Sequence, residues 1–405
     1  MTAPASVLIV GASVGGLTVA EALRREGYAG KLTMLGAEKH LPYDRPPLSK
    51  KVLAGAVPPE RTQLRTPAAL DQLSAELILG DPATSLDAAA REVQTAQGRR
   101  LHAEVIVLAV GVQPRHLPAQ ESLAGVHVLR TLEDSIALRT DLLAGSQLVV
   151  VGEGVLGTEI AATARSMSLA VTVVGPQAVP LQSQLGLQAG GYLASLHTQQ
   201  GVQLRLGCTA EGLVGASGRV CGVRLAGGEV LPADVVVIAI GARPATGWLA
   251  GSGLQLGDGI VCDSRCRASD GIYAVGDAAW WHHEGLGTGL RLENRTNAVE
   301  QGMLVAGNIL GKDRPYTPVP FFWTDQFEDK IQVHGFLPAH AEVAIVEGDP
   351  AQRKFVAVYG SHDKVTGVLG WNMMKEARQY RQRVVDGAAF SSTVAGANAS
   401  PSVAQ

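Results

Sequence analysis

Short apolar runs that end in glycine recur along the first two thirds of the chain and predict buried strands of parallel sheets. The first run, residues 7–10, leads into the glycine-rich turn GASVGG at residues 11–16. An alanine- and leucine-rich segment to about residue 26 then has helical spacing, and a second apolar run follows at residues 31–35. This order predicts a strand–helix–strand unit with a turn rich in glycine.

The same pattern begins again near the middle of the chain. Residues 147–151 are apolar and lead into a second turn, GEGVLG at residues 152–157, followed by a helical segment to about residue 168. Further buried-strand candidates are residues 104–110, 234–240 and 271–275. Because this order of elements is typical of nucleotide binding, the chain is predicted to be an α/β protein with two Rossmann-like dinucleotide-binding domains.

The pattern changes after residue 318. Five short, nearly alternating runs separated by turns predict an antiparallel sheet; they are residues 321–325, 330–335, 342–346, 354–359 and 364–370. A charged helical segment at residues 375–385 completes a predicted C-terminal α+β domain. Residues 391–405 are small and polar without periodicity, and we expect them to form a disordered tail.

Composition narrows the function classes. The 405 residues are 46% hydrophobic and 18% charged, which suits large cores and excludes a mostly disordered chain. The formal net charge is only −3 and there is no run of like charges, so neither nucleic acid nor a membrane surface is an expected partner. The first residues contain neither a basic leader nor a long apolar span, and we expect a cytoplasmic protein.

The cysteines and histidines exclude some site chemistries. Four cysteines are present without a C-x-x-C pair, and we expect them to be structural. None precedes Cys208, which excludes a redox-active thiol in the loop after the first strand–helix–strand unit. The adjacent His282 and His283 are expected to face solvent rather than to share a metal ion, so no metal site is predicted.

Both glycine turns suit a dinucleotide pyrophosphate, because backbone N–H groups at a helix N-terminus can approach it and favour its negative charge. The predicted contacts of the first turn are Gly11, Ser13, Val14, Gly15 and Gly16. Glu38 follows the next strand, where a carboxylate can accept a hydrogen bond from a ribose hydroxyl. The predicted contacts of the second turn and of the strands beside it are Gly152, Gly154, Val155, Leu156, Gly157, Gly175 and Gly241.

The second nucleotide site departs from the usual pattern. Its second strand ends in Gly175 and Pro176, where an acidic residue usually holds the ribose of NADH. No Arg or Lys lies between Arg165 and Arg205 to bind the 2′-phosphate of NADPH. We therefore expect NADH to be preferred over NADPH, with weak affinity and poor discrimination, and Gly175→Glu to strengthen the use of NADH. The alternative is a site that has lost its affinity for nucleotides.

Six segments resemble those of a known family. The most specific is YDRPPLSK at residues 43–50. The others are VLAVGVQPR at 107–115, RTLED at 130–134, IYAVGDAA at 272–279, ENRTNAVEQG at 293–302 and FFWTDQFE at 321–328. With them the chain resembles the FAD-dependent, NAD(P)H-oxidising ferredoxin reductases that serve bacterial oxygenases and cytochromes P450, within the wider pyridine nucleotide-disulphide oxidoreductase fold.

The resemblance implies FAD as the cofactor, a hydride passing from the nicotinamide to FAD, and a [2Fe–2S] ferredoxin that receives single electrons. It also implies a discontinuous FAD domain at residues 1–114 and 244–318, an NAD(P)H domain at 115–243 and a C-terminal domain at 319–390. Besides the first turn and Glu38, the implied FAD contacts are Arg45, Lys50, Ala83, Arg130, Asp277, Arg295 and Trp323.

The same resemblance suggests individual roles. Asp277 would accept hydrogen bonds from the ribityl chain, and Glu159 would face the nicotinamide. The cations Arg45 and Lys50 would stabilise negative charge on the flavin. No acid–base residue is required, so none is predicted to be catalytic. Trp323 could cover the flavin or fill the core, and both alternatives stay open.

A ferredoxin of this type is acidic, so the small net charge of this chain requires a local basic patch for docking. The predicted docking residues are Arg291, Arg295, Lys375, Arg378 and Arg381.

Two other functions remain open. One is an NADH oxidase or a biosynthetic redox enzyme that acts directly on a small molecule. The other is an FAD-binding interaction protein with a degenerate NAD site.

Overall fold

The computed structural model describes residues 3–118, 120–338 and 340–399. The chain divides into two compact units. The first contains the chain up to Arg45 together with Glu60–Gln113 and Ala242–Pro318; the second contains Pro46–Pro59, Pro114–Gly241 and the chain from Val319 on. Among the described residues, no helix is long and apolar enough to span a lipid bilayer.

The first unit is built on a six-stranded sheet. Its strands lie in the order Arg267–Ser269, Ile272–Ala274, Val105–Leu108, Ser6–Val10, Lys31–Gly36 and Glu76–Leu79. All neighbours pair in parallel except the first two. Ser6–Val10 is almost wholly buried because strands pair with it on both sides and helices cover the sheet.

The remaining elements of the first unit are shorter, apart from two long helices. The helices are Val14–Arg25, Pro67–Asp71 and Arg295–Ile309, and the first packs against the last. One small sheet contains Ala83–Asp87, Glu92–Thr95 and Arg100–His102, and another contains Leu256–Gly257, Gly259–Cys262, Ala279–His283 and Thr288–Leu290. Further short strands are Val112–Pro114 and Ala242–Pro244, and 3-10 turns lie at Pro59–Thr62, Gly247–Leu249 and Gly276–Ala278; of these residues only Pro59 and Pro114 are assigned to the second unit.

The second unit repeats the arrangement with a parallel sheet of five strands. Their order is Gln203–Leu206, Ala170–Gly175, Gln147–Val151, Val235–Ile238 and Val126–His127. Helices are Leu132–Ala144, Val155–Ser166 and Gln182–Gln199, and 3-10 turns are Pro46–Ser49 and Gln120–Ser122. A three-stranded antiparallel sheet contains Ala210–Ala216, Arg219–Leu225 and Val230–Pro232.

The C-terminal part of the second unit is the predicted antiparallel sheet. Its strand order is Phe321–Gln326, Asp329–Gly335, Lys364–Trp371, Lys354–Ser361 and Glu342–Asp349. The helix Met374–Val385 packs against this sheet, and a 3-10 turn lies at Pro350–Gln352. The predicted fold class, two dinucleotide-binding folds and a C-terminal α+β region, is confirmed.

The helix Gln182–Gln199 explains why the C-terminal sheet and the second parallel sheet belong to one unit. Leu185 and Leu193 on this helix are fully buried and share one apolar cluster with Phe355 and Trp371 of the C-terminal sheet. Sequence analysis did not predict this helix, because glutamines and glycines interrupt its apolar pattern.

The expectation of a disordered tail was wrong for most of that segment. Phe390–Ala399 is a helix that packs on the edge of the C-terminal sheet, and residues 400–405 lie outside the described part of the chain. Phe390, Val394 and Ala397 fall on one face at helical spacing and contribute to an apolar cluster with Val356 of the sheet. The segment therefore has an amphipathic face, which its many small residues made difficult to recognise in the sequence.

Candidate functional site

The first glycine turn, residues 11–16, leaves room for a ligand at the start of the helix Val14–Arg25. A Cβ atom on Gly11, whose φ is +121°, would lie 2.1 Å from the Ala109 carbonyl oxygen, and one on Gly16 would lie 2.0 Å from the Gly11 carbonyl oxygen. Both positions therefore exclude side chains. Ser13 is the N-cap residue, but its side chain makes no capping hydrogen bond, so the first N–H groups of the helix are left for an anion.

The Glu38 carboxylate, also in the first unit, is held by two neighbours. The Tyr43 hydroxyl donates a hydrogen bond of 2.5 Å to Oε2, and Arg45 Nη2 lies 2.6 Å from Oε1. The guanidinium of Arg45 also lies over the Tyr43 ring, 5.0 Å from its centre. Burial alone would lower the pKa of Arg45, but Tyr43 and Glu38 outweigh it and raise that pKa. Arg45 is thus a partner of Glu38 rather than an isolated cation.

The turn that carries Asp277 lies against the same pair of helices as the first glycine turn. Gly276, with φ +75°, donates its N–H to Gln301 Oε1 at 2.7 Å, and a Cβ atom on it would touch Ala298 at 3.3 Å. A Cβ atom on Gly15 would lie 3.7 Å from the same Ala298. The structure therefore brings Gly15 and the Asp277 turn together, as sequence analysis required for one dinucleotide site.

Arg291 and Arg295 are both engaged by carboxylates within the first unit. The side chain of Arg291 is only 12% exposed and pairs with Asp258 and Glu293. Arg295 begins the helix Arg295–Ile309, and its Nε lies 2.7 Å from Asp44 Oδ1. The prediction that Arg291 offers its charge to a partner is wrong, because burial and two carboxylates already satisfy it.

The other implied FAD contacts are distributed over the two units. Ala83 begins a strand of a small sheet in the first unit. Arg130 lies in the second unit just before the helix Leu132–Ala144, where Thr131 and Asp134 form a capping box. Trp323 lies in the second unit on the strand Phe321–Gln326 and is only partly buried, with the Lys50 ammonium 5.0 Å from its ring centre. Trp323 is therefore not a core residue.

The second glycine turn, residues 152–157, has the geometry of the first. Gly152 has φ +122°, and a Cβ atom on it would lie 2.2 Å from the Ala239 carbonyl oxygen. A Cβ atom on Gly157 would lie 2.0 Å from the Gly152 carbonyl oxygen, whereas the space around Gly154 is open. The helix Val155–Ser166 begins without a side-chain cap. A second anion-binding helix terminus is therefore present.

Glu153, which sequence analysis did not consider, points towards the strand that ends at Gly175. A Cβ atom on Gly175 would lie 1.7 Å from Glu153 Oε2. The expectation that Gly175→Glu strengthens the use of NADH did not take this carboxylate into account, because a side chain at residue 175 must displace the end of the Glu153 side chain. Gly241, also predicted for this site, has φ +90° and open space around it.

A nearly buried ion pair lies in the second unit. Lys50 Nζ is 2.6 Å from Glu159 Oε2, and the two side chains are 17% and 6% exposed. Ser49 Oγ donates to the same carboxylate oxygen at 2.7 Å, and Thr324 Oγ1 donates to Oε1 at 2.7 Å. Sequence analysis predicted Lys50 and Glu159 separately, in two different roles, but not that they contact each other.

The hydrogen bonds continue beyond Thr324 into the core. Gln326 Nε2 donates to the hydroxyls of Thr324 and Thr158, both at 2.9 Å. His197 Nε2 donates to Gln326 Oε1 at 3.1 Å. Burial lowers the pKa of His197 to about 4, so this histidine is neutral at pH 7. Thr324 and Gln326 lie two residues apart on one strand, so their side chains point to the same face. This spacing was the only sign in the sequence that the two residues belong to one hydrogen-bond network.

The described residues show no metal cluster, and two of the four cysteines are buried. No group of three or more His, Cys, Asp or Glu side chains is arranged to hold a metal ion there. Of the paired histidines only His282 is exposed, whereas His283 is buried and donates from Nε2 to the Pro318 carbonyl at 3.0 Å. Burial raises the pKa of the Cys262 and Cys266 thiols, which keeps them protonated and unreactive.

Comparisons with known proteins agree with this arrangement. Residues 5–302 match the pyridine nucleotide-disulphide oxidoreductase family, and residues 321–402 match the family described as reductase C-terminal. Putidaredoxin reductase of Pseudomonas putida is 34% identical over 393 residues, which cover 95% of this chain and 93% of that protein. The ferredoxin–NAD(+) reductase subunit of the benzene 1,2-dioxygenase system of Pseudomonas putida is 37% identical over 345 residues, covering 84% and 82%.

A solved structure of a reductase has the same fold as this chain. The covalent complex of putidaredoxin reductase with putidaredoxin matches with a TM-score of 0.91 and 32% identity, covering 98% of this chain and 100% of that one. Given the two family matches, the relatives and this shared fold, the chain belongs to the pyridine nucleotide-disulphide oxidoreductase family, as one of its ferredoxin reductases.

Proposed function

We propose that the protein oxidises NADH with FAD as its cofactor and reduces a [2Fe–2S] ferredoxin that feeds an oxygenase or a cytochrome P450. The observation that carries this proposal is the pair of glycine turns, at Gly11 and Gly152, in each of which a Cβ atom would collide with backbone oxygen at the start of a helix without a side-chain cap. One chain thus offers two sites for a dinucleotide pyrophosphate.

FAD, when bound, accepts a hydride from the nicotinamide and releases its electrons one at a time. The first glycine turn would bind its pyrophosphate, and Glu38 would accept a hydrogen bond from its adenosine ribose. Because Tyr43 and Arg45 hold the Glu38 carboxylate, little conformational entropy is lost when the ribose binds. Asp277 would accept hydrogen bonds from the ribityl hydroxyls.

Lys50 and Glu159 would hold a fixed dipole in the unit that carries the second glycine turn. The Lys50 ammonium is anchored by Glu159 and covered on one side by Trp323. Such preorganised charge acts more strongly where water is excluded, and it needs no rearrangement during the reaction. None of these residues has to exchange a proton with a substrate.

The helix Met374–Val385 is the proposed docking surface for the ferredoxin. Lys375, Arg378 and Arg381 are exposed along it, and three-residue spacing puts neighbouring members on one face. Unlike Arg291, these three cations form no ion pair that the structure records within the described chain. They can therefore attract an acidic partner.

NADH is the proposed electron donor. The segment between Arg165 and Arg205 contains no cation for a 2′-phosphate. The relative from the benzene dioxygenase system is likewise named as a ferredoxin–NAD(+) reductase.

The test is to give the FAD-loaded protein NADH and either ferricyanide or putidaredoxin, the partner in the matching solved complex, and to follow acceptor bleaching. We expect both acceptors to be reduced. Reduction of ferricyanide alone, with dioxygen consumed and putidaredoxin left oxidised, would favour the oxidase alternative. Failure with both acceptors would favour the interaction protein.

A further inference from the structure

The carboxylate of Glu153 occupies the space in which a nucleotide-binding fold of this kind normally presents its ribose-binding acid. That acid usually ends the second strand, which here ends at Gly175. Glu153 instead belongs to the glycine turn at the end of the neighbouring strand Gln147–Val151. Its Oε2 lies 1.7 Å from where a Cβ atom of residue 175 would be. A side chain from the next strand thus fills the position that Gly175 leaves empty.

The position of Glu153 is fixed from two sides. Its Oε1 accepts a hydrogen bond from the Gln177 backbone N–H at 3.2 Å. Its own carbonyl oxygen accepts one from the Leu181 N–H at 3.0 Å. Both donors belong to the segment that follows the strand Ala170–Gly175, so Glu153 is tied to the loop after Gly175.

One oxygen of this carboxylate has no protein partner. Glu153 is 6% exposed, yet within the described residues Oε2 receives no hydrogen bond and Glu153 forms no ion pair. Oε2 is not among the fully buried side-chain atoms without a partner, so it is open to solvent and a ligand hydroxyl can reach it. A ligand that brings hydroxyl donors would satisfy this oxygen.

We propose that Glu153 recognises the adenosine ribose of NADH and excludes NADPH. The inference rests on the proposed NADH-dependent reductase function and identifies the residue that sets its specificity. The 2′- and 3′-hydroxyls of NADH can donate hydrogen bonds to a carboxylate, whereas the 2′-phosphate of NADPH is an anion that Glu153 repels. Gly175 is required because any side chain there would displace Glu153. Discrimination between the two nucleotides is therefore strong, contrary to the sequence-based expectation.

The test measures binding directly, without turnover. The FAD-loaded protein is titrated by calorimetry with ADP-ribose and with its 2′-phosphorylated form, which share the adenosine end of NADH and NADPH. We expect the native protein to bind ADP-ribose at least tenfold more tightly. Glu153→Gly and Glu153→Gln should reduce this ratio to near one, whereas Glu211→Gln, an exposed carboxylate in the same unit, should leave it unchanged.

A carboxylate swap gives the decisive comparison. Gly175→Ala and Gly175→Glu should each weaken ADP-ribose binding at least tenfold, since both push Glu153 out of its position. The double variant Glu153→Gly with Gly175→Glu should recover the preference, because the acid then arises from the usual strand. Flavin absorbance and a thermal melt check that each variant is folded.

The two proposals fail in different ways. A ratio that is near one in the native protein, or that Glu153→Gly leaves unchanged, overturns the role of Glu153 even if ferredoxin is reduced. A ratio that depends on Glu153 in a protein that reduces no ferredoxin supports the role of Glu153 and contradicts only the proposed acceptor.

Discussion

At the scale of single residues, some of the predicted site side chains are held by partners far away in the chain. Lys50 and Glu159 are an example, since each alone would be a charge with little access to water. Removing one member of such a pair leaves the other buried without compensation, which is more damaging than losing an exposed ion pair.

We therefore predict that Lys50→Met lowers the free energy of unfolding by about 3 kcal/mol, measured by urea denaturation with excess FAD. Lys51→Met is the matched control, because Lys51 is the neighbouring lysine and is exposed. The double variant Lys50→Met with Glu159→Leu should lose less free energy of unfolding than the two single variants lose together. Equal losses for Lys50→Met and Lys51→Met would show that the pair contributes nothing to stability.

Asp277 gives a second prediction at this scale. Asp277→Ala should weaken FAD binding by about 1–3 kcal/mol, because ribityl hydroxyls lose an acceptor. The flavin-to-protein ratio after desalting and a titration of apoprotein with FAD measure this loss. Asp270→Ala, whose side chain is 93% exposed in the same unit, should retain the flavin. A native protein that is colourless and takes up no FAD would contradict the assignment of the whole site.

At the scale of secondary-structure elements, the local pattern of apolar residues was a reliable guide to where several strands begin. The strand Gln147–Val151 and the C-terminal strands beginning at Phe321 and Lys354 start at the predicted residues. The helices Gln182–Gln199 and Phe390–Ala399 were missed, since their apolar residues are few and become a face only against the C-terminal sheet.

The helix Met374–Val385 carries the prediction for this scale. Arg378→Glu with Arg381→Glu should raise the KM for putidaredoxin at least tenfold and reduce its dependence on salt, because the acidic partner loses its attraction. The rate with ferricyanide should not change. Comparing Arg383→Glu with Arg381→Glu tests which face of the helix binds the ferredoxin, since residue 383 lies on another face. If both single reversals have the same effect, the docking surface is not this face.

At the scale of the whole molecule, two buried histidines make stability depend on pH. Burial lowers the pKa of His197 to about 4, and burial together with Arg381 and Arg378 lowers that of His334 to about 4. In the unfolded chain both would titrate near 6.5. Because the unfolded state binds these protons more tightly, their stabilising effect is complete above pH 6.5 and is lost as the pH falls towards 4.

When the pH is lowered from 7.5 to 5, we expect the titration of each histidine to reduce the free energy of unfolding by about 2 kcal/mol. Urea denaturation of His197→Gln at both pH values should show a smaller loss than the native protein. His282→Gln, which removes an exposed histidine, should show the native loss. An unchanged pH dependence in His197→Gln would mean that this ring is protonated in the folded state.

The amino-acid sequence by itself determined the two glycine turns, the strands that precede them and the alternation of the C-terminal sheet. These features depend on neighbours within a few residues, through allowed backbone angles and the period of apolar positions. Tertiary structure alone decided that Glu153 fills the space beside Gly175, that Arg45 pairs with Glu38, and that Lys50 meets Glu159. Each of these contacts depends on how loops and strands pack in space. Such packing decides which side chains meet and how deeply they are buried, and it leaves no periodic pattern in the sequence.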